Sequence, residues 1–323
     1  MDQQGSGTSD VRAAQGWVAA ADEDGPVRGH SRWRLLRRDP AFWVGGGLVV
    51  LFIAVGVLAP FLTPWNPDFQ DRSVVSYPSP ASWEHLLGTD RLGRDLLSRL
   101  MFGARIALVV GVGAAVVAVT MGFLVGLLAA YFRSPRLGIP LPAGGRVEVP
   151  IPVESVLMRT TDVFLSLPAL LLAIALVAVL HPSVGLTAAV ITLVLWTGPA
   201  RIIYGAVRSV RDSEFVLAAR ALGTSSRRVV FRHVAPQVTG LALAYGAITV
   251  AAAILFEAAL SYLGAGVPIP APSWGGMAAE HLGSYVTAPH LVILPGLAIL
   301  LAVLGFTLLG DALRDASDPR ARR

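Results

Sequence analysis

The residues that could carry chemistry are few and unevenly placed. Glu257 sits inside an otherwise apolar run, Val238 to Tyr262, with Ser261 one helical turn further on. A carboxylate at mid-membrane costs about 2.5–3.5 kcal/mol on insertion scales, so it is either held by a partner or lines a polar route. Two readings therefore stand. In one, Glu257 and Ser261 are pathway or gate residues; in the other, Glu257 is a neutral or paired structural residue between helices. The second concentration is basic: seven arginines lie between Arg201 and Arg232, around a segment with the pattern of two short helices. The six histidines, His30, His85, His181, His233, His281 and His290, have no metal-ligand spacing and read as solvated or capping residues. No catalytic, cofactor-binding or metal-ligating set emerges.

Two absences narrow the chemistry further. All 26 basic side chains are arginine, and no cysteine occurs. A Walker A loop needs its lysine on the nucleotide phosphates, so this chain carries none. Disulfides, thiolate metal sites and thiol nucleophiles are excluded as well. A pI near 10.2 does not indicate nucleic-acid binding, because the arginines are not gathered on a soluble domain.

The elements that must position these residues are membrane helices. Hydrophobic residues make up 54% of the chain and charged ones 15%, and the mean hydropathy is +0.64. Crossing a hydrocarbon layer takes about 20 apolar residues. Six runs approach or exceed that length: Val44–Phe61, Ile106–Phe132, Val163–Leu180, Val184–Tyr204, Val238–Tyr262 and Leu291–Leu309. The expected fold class is thus an all-α polytopic membrane protein of about six transmembrane helices. Met1 to about His30 lacks hydrophobic periodicity and reads as a disordered tail. Between the first two runs, Thr63–Arg105 holds Pro64, Pro67, Pro78 and Pro80. It also holds an amphipathic stretch with Leu92, Leu96 and Leu100 opposite Arg91, Arg94, Asp95 and Arg99. That stretch is expected to lie along a membrane surface.

Arginine resists translocation, so its distribution sets orientation. With the N-terminus inside, 21 of the 26 arginines are cytoplasmic, and the remaining five all fall within Arg72–Arg105. Both termini are expected in the cytoplasm. Gly122 and Gly126 form a GxxxG pair suited to close helix packing. Trp196, Pro199, Trp274 and Tyr285 read as interfacial anchors, with Trp274 also a candidate for shaping the outer mouth.

In the arginine-rich loop, Asp212 or Ser213 is placed to cap a first helix whose Phe215, Ala218, Ala219 and Leu222 form an apolar stripe ended by Gly223. Thr224 or Ser225 is placed to cap a second that runs into Pro236. Leu217-Ala218-Ala219, Gly223 four residues later and Pro236 thirteen after the glycine resemble the EAA loop of bacterial ABC importer permeases. Other stretches narrow the resemblance: His85-Leu-Leu-Gly-Thr-Asp90, Gly93-Arg-Asp95, Ser98-Arg99, Gly103-Ala-Arg105, Asp162 with Leu167-Pro168, Glu257 to Gly264, and Pro272-Ser-Trp-Gly275. Together these are similar to the C-type permease subunit of the dipeptide, oligopeptide and nickel importer family, over about Arg37 to Asp318.

The resemblance implies a type I ABC importer permease architecture. Residues 1–36 would be a cytoplasmic tail, and 37–104 an N-terminal permease segment with the first span and the outer amphipathic stretch. A five-helix core would occupy 105–313, with the coupling loop at 206–236, and a short cytoplasmic tail 314–323. It also implies a non-catalytic subunit of a bacterial cytoplasmic (inner) membrane importer that moves dipeptides or oligopeptides. ATP and Mg would be bound by partner subunits and no cofactor by this chain. The implied partners are a homologous second permease, two ATPase subunits, an extracytoplasmic substrate-binding protein and membrane lipid, and no nucleic acid. The implied ATPase-coupling residues are Glu214, Phe215, Leu217, Ala218, Ala219, Gly223 and Pro236. Leu217 stands where the family carries an acidic residue, and Glu214, three residues earlier on the same face, is the available substitute. The Pro- and Gly-rich insertion Gly138–Pro152 has no assigned role. Alternatives are the same transporter class carrying nickel or another small solute, a proton-coupled secondary transporter using Glu257, and a non-conducting assembly subunit.

Overall fold

The computed structural model describes residues 36–71, 78–132, 136–140, 146–150, 152–180 and 182–317. The N-terminal tail through position 35, His30, His181 and the last six residues lie outside that set. Hydrocarbon offers no partner for backbone N–H and C=O groups, so an apolar chain must satisfy them within helices. Helix α1 spans Pro40–Leu62 and α2 spans Leu96–Tyr131; β1 (Arg136–Pro140) and β2 (Arg146–Pro150) follow. Then come α3 (Val153–Ser166), α4 (Ala169–Val179), α5 (Val184–Arg211), α6 (Glu214–Ala221), α7 (Ser226–Tyr262), α8 (Trp274–Glu280) and α9 (His290–Ser317).

Five of these helices are long and apolar enough to cross a membrane, and six spans result if α3 and α4 count as one. That pair is bent by 87°. The cause is Pro168, which drives Leu167 out of the helical region, to ψ 137. The expected third span, Val163–Leu180, is therefore interrupted within its length. The architecture is otherwise the all-α polytopic arrangement expected, with one antiparallel hairpin, Arg136 opposite Pro150 through Pro140 opposite Arg146, at the Pro- and Gly-rich insertion.

Helix α1 starts where Asp39 accepts the Ala41 N–H at 2.8 Å ahead of Pro40 in the first turn. It lies along α9, with Phe52 edge-on to Phe306. Helix α2 begins ten residues before its predicted start, with Asp95 capping the Ser98 N–H at 2.7 Å. At 1.5 Å per residue it is roughly 54 Å long, well beyond the hydrocarbon thickness. One wide turn, Leu108–Val112, interrupts its regular bonding. The amphipathic stretch is thus not a separate surface helix: its second half is the outer end of α2, and Arg94, Asp95 and Arg99 are buried.

Two large cores form among the described residues. One joins α1, α2, α4, α5, α7, α8 and α9 around Phe52, Leu96, Ile191, Ile254, Leu260 and Met277. The other gathers Leu127, Tyr131, Ile203, Val207, Val216 and Val234. Trp196 and Trp274 are each only 4% exposed, so both are packing residues rather than interfacial anchors. Trp274 lies against Phe52 and donates to the Leu100 carbonyl at 2.9 Å, and Trp196 packs on Phe164. Tyr285 is exposed.

Gly122 and Gly126 meet α5 backbone to backbone. A Cβ at Gly122 would fall 2.6 Å from the Trp196 carbonyl oxygen, and one at Gly126 would fall 2.5 Å from that of Ala200. Gly113 in the same helix has open space around it. Gly126→Ala should therefore destabilise the detergent-solubilised protein by about 1–3 kcal/mol through overpacking. Gly113→Ala should be neutral or slightly stabilising. Thermal denaturation of the two variants side by side checks this.

Candidate functional site

The loop between α5 and α7 is built on the core around Tyr131 and Val207. Ser213 occupies the cap position of α6, but its hydroxyl donates back to the Val210 carbonyl at 2.6 Å, and Glu214 supplies the negative charge that suits a helix N-terminus. At the other end the Gly223 N–H bonds Arg220 O at 2.9 Å and the Thr224 N–H bonds Ala219 O at 3.2 Å. This paired termination needs a left-handed residue, and Gly223 has φ +79°. Val216 is fully buried and ties the helix to Leu127, Ala130, Tyr131 and Ile203. Phe215, Leu217 and Ala218 are exposed, Leu222 is 86% exposed and Ala219 is half-buried. Among the described residues the apolar stripe is thus left largely uncovered.

Pro236 lies in the first turn of the regular part of α7, Ala235–Tyr262, two residues past a wide turn at Val230–Val234 that joins it to Ser226–Val229. A proline cannot donate to the preceding turn and crowds its carbonyl, and the wider turn accommodates both defects. The second predicted loop helix is consequently continuous with the fifth span.

Several arginines read from sequence as topological markers have definite partners. Arg211 is buried; it donates to the Ala130 carbonyl in the last turn of α2 and pairs with both carboxylate oxygens of Asp212 at 3.1 Å. Arg220 stands 4.9 Å over the Tyr131 ring, and Arg201 pairs with Asp162. Composition gave no signal for these, since orientation alone also places arginine there.

Glu257 is 1% exposed and lies at the outer end of α7. Its Oε1 accepts the Ser261 hydroxyl at 2.7 Å, and that hydroxyl oxygen accepts the Val267 N–H at 3.1 Å. Ser273, which caps α8 by accepting the Gly276 N–H at 3.0 Å, also lies against the carboxyl. The two expected pathway or gate residues are therefore brought together, and what they hold is the loop after α7.

A larger, mostly buried cluster lies at the N-terminal end of α2. Asp90 accepts backbone N–H groups of Leu92 and Arg94 at 2.8 and 2.9 Å. It also accepts Arg94 Nε at 2.6 Å and Arg99 Nη1 at 3.0 Å. Across the gap from α8, Glu280 receives Arg94 Nη2 and, at 3.1 Å, Arg99 Nη2. His281 is held by the Met277 carbonyl at 2.7 Å. His85 pairs with Asp95 at 2.9 Å and stacks on Trp65. Both histidines are buried: His281, at the C-cap position of α8, has the capping role expected, whereas His85 is neither solvated nor a cap but is paired with Asp95. Asp90, Glu280 and His281 bring ligand-type atoms within 4.8 Å of one another. Two guanidinium groups already occupy those carboxylates, so the arrangement is an ion-pair cluster.

Burial pushes the Glu280 carboxyl above the usual carboxylate range, Arg94 and His281 pull it back, and Asp90 adds to the rise. A raised folded pKa means that Glu280's favourable contribution is complete below the ordinary carboxylate value and is lost as pH rises through the raised one. Glu280→Gln should remove that part of the pH dependence, as thermal denaturation across a pH series would show.

Comparison with known proteins fits this geometry. Residues 138–323 match the family profile described as binding-protein-dependent transport system inner membrane component, and residues 29–80 match the N-terminal transmembrane domain of oligopeptide transport permease C. An oligopeptide transport system permease protein of Bacillus subtilis is 35% identical over 287 residues, covering 89% of this chain and 88% of that protein. A di/tripeptide transport system permease protein of Pseudomonas aeruginosa is 38% identical over 285 residues, covering 86% and 88%. A glutathione transport system permease protein of Pectobacterium atrosepticum is 33% identical over 294 residues, covering 90% of each. With its broken-helix, all-α membrane architecture, its EAA-type loop and a match running through most of its length, the chain belongs to the family of binding-protein-dependent transport system inner membrane components.

Proposed function

We propose that this chain is the C-type permease subunit of an ATP-driven importer of short peptides, seated on an ATPase through α6. The observation that carries the reading is the exposed apolar face of α6, with Ala218 and Leu222 open and Phe215 about half open, on a helix anchored by the buried Val216. Exposed apolar faces of this kind on a fixed helix fit a protein partner. Leu217, also exposed, gives the contact an apolar character where the family uses an acid. Relatives named for oligopeptide, di/tripeptide and glutathione transport support peptides as the solute class.

In this reading the chain hydrolyses nothing itself. ATP and Mg belong to two ATPase subunits, consistent with a sequence that lacks lysine for a phosphate loop. A homologous second permease completes the solute route, and a binding protein outside delivers the peptide. The arginine distribution supports cytoplasmic termini in a bacterial inner membrane. Glu257 and Ser261 act as a latch on the outer loop rather than as a solute contact.

Gly223→Asp is the direct test. A side chain in the left-handed region costs about 1 kcal/mol, and a carboxylate is added beside the docking face. Peptide uptake by reconstituted complex should fall at least tenfold, with hydrolysis uncoupled or the complex unassembled. Unchanged assembly, hydrolysis and uptake would refute the loop assignment. For the latch, Glu257→Leu should raise the reactivity of a cysteine introduced at Val267; unaltered reactivity would return Glu257 to a purely packing role.

A further inference from the structure

Helix α2 has a fixed attachment at each end. At the cytoplasmic end, Tyr131 is buried with Val216 of α6 in one core and presents its ring to the Arg220 guanidinium at 4.9 Å. Val216 and Arg220 are four residues apart and share a helix face, and Arg220 joins that face to the end of α2 through the Tyr131 ring. Arg211, the last residue of α5, fastens the same turn by donating to the Ala130 carbonyl, a group the last turn of a helix cannot bond for itself. Along its length α2 runs helically from Leu96 to Tyr131 and is fixed to α5 at Gly122 and Gly126. At the outer end Arg99 joins it to Asp90 and to Glu280 of the loop between α7 and α9.

We propose that Tyr131 is the positioning residue through which displacement of α6 is delivered to α2, and that α2 carries the displacement to the Asp90–Arg99–Glu280 cluster under the outer loop. The inference rests on α6 being the helix that seats on the ATPase. The ring does what an aliphatic residue could not. Its face attracts the guanidinium over a broad area, so α6 and α2 stay engaged through small changes of angle, while the buried body of the ring bears on Val216.

The chain has no cysteine, so a single Val286→Cys in the exposed outer loop reports on that loop alone. In reconstituted complex, ATP with Mg should change the labelling rate of this cysteine by a membrane-impermeant maleimide. Tyr131→Leu should leave assembly and basal hydrolysis intact, abolish the ATP-dependent change at position 286 and lower peptide imported per ATP about tenfold. Tyr131→Phe, which keeps the ring, should behave as the parent. Retained import per ATP in Tyr131→Leu, or equal damage from Phe and Leu, would overturn the proposal. If Leu prevents assembly, Tyr131→Met is read in its place, and failure of both to assemble would overturn positioning in favour of folding. Uncoupling by Gly223→Asp with normal coupling in Tyr131→Leu would sink only the joint; normal coupling in Gly223→Asp would sink the seating of α6 itself.

Discussion

Helices in lipid gain little from hiding apolar surface from one another, so their association depends on how closely their backbones can approach. The contact of α2 with α5 at Gly122 and Gly126 meets that constraint, with the carbonyls of Trp196 and Ala200 occupying the space where side chains would stand. Much else takes its position from it. The last turn of α2 is brought beside Ile203 and Val207 of α5, and the floor on which Val216 rests is formed there. The same axis, prolonged outward, sets Arg99 opposite Glu280.

The outer loop is held in three places by three kinds of force. Near its start, Ser261 links the Glu257 carboxyl to the Val267 amide. In its middle, Trp274 buries its ring on Phe52 and donates to Leu100. Near its end, Glu280 meets two arginines. Each buried charge there depends on its partners, because an isolated ion removed from water would cost several kcal/mol. The loop is therefore a fixed lid on α2 and α7, and its clamps are polar interactions that a change of helix position can break and remake.

Span number and the EAA-type spacing were legible because both follow from local rules: apolar length, and glycine where the chain turns left-handed. Packing of Gly122 and Gly126 was legible for the same reason. The 87° break at Pro168 was signalled by the proline but hidden by the continuous apolar run on either side. The outer end of α2 was misread because Arg94, Asp95 and Arg99 make an exposed-looking face in sequence. Asp90 and, 181 residues beyond Arg99, Glu280 turn that face inward. Arg211, Arg220 and Tyr131 were invisible in the same way, since their partners lie on other helices and no spacing rule connects them. Local signals found the loop; the contacts that mount it are long-range.

The exposed face of α6 is the proposed seat for an ATPase. Amide hydrogen exchange of residues 214–223 in the permease pair, with and without the ATPase subunits, measures it most directly. Protection of these amides on adding the ATPases, while exchange in the outer loop around 282–286 is unaffected by ATPase binding in the absence of ATP, is the predicted result. Exchange at 214–223 that does not change in a complex shown to be assembled would contradict the account.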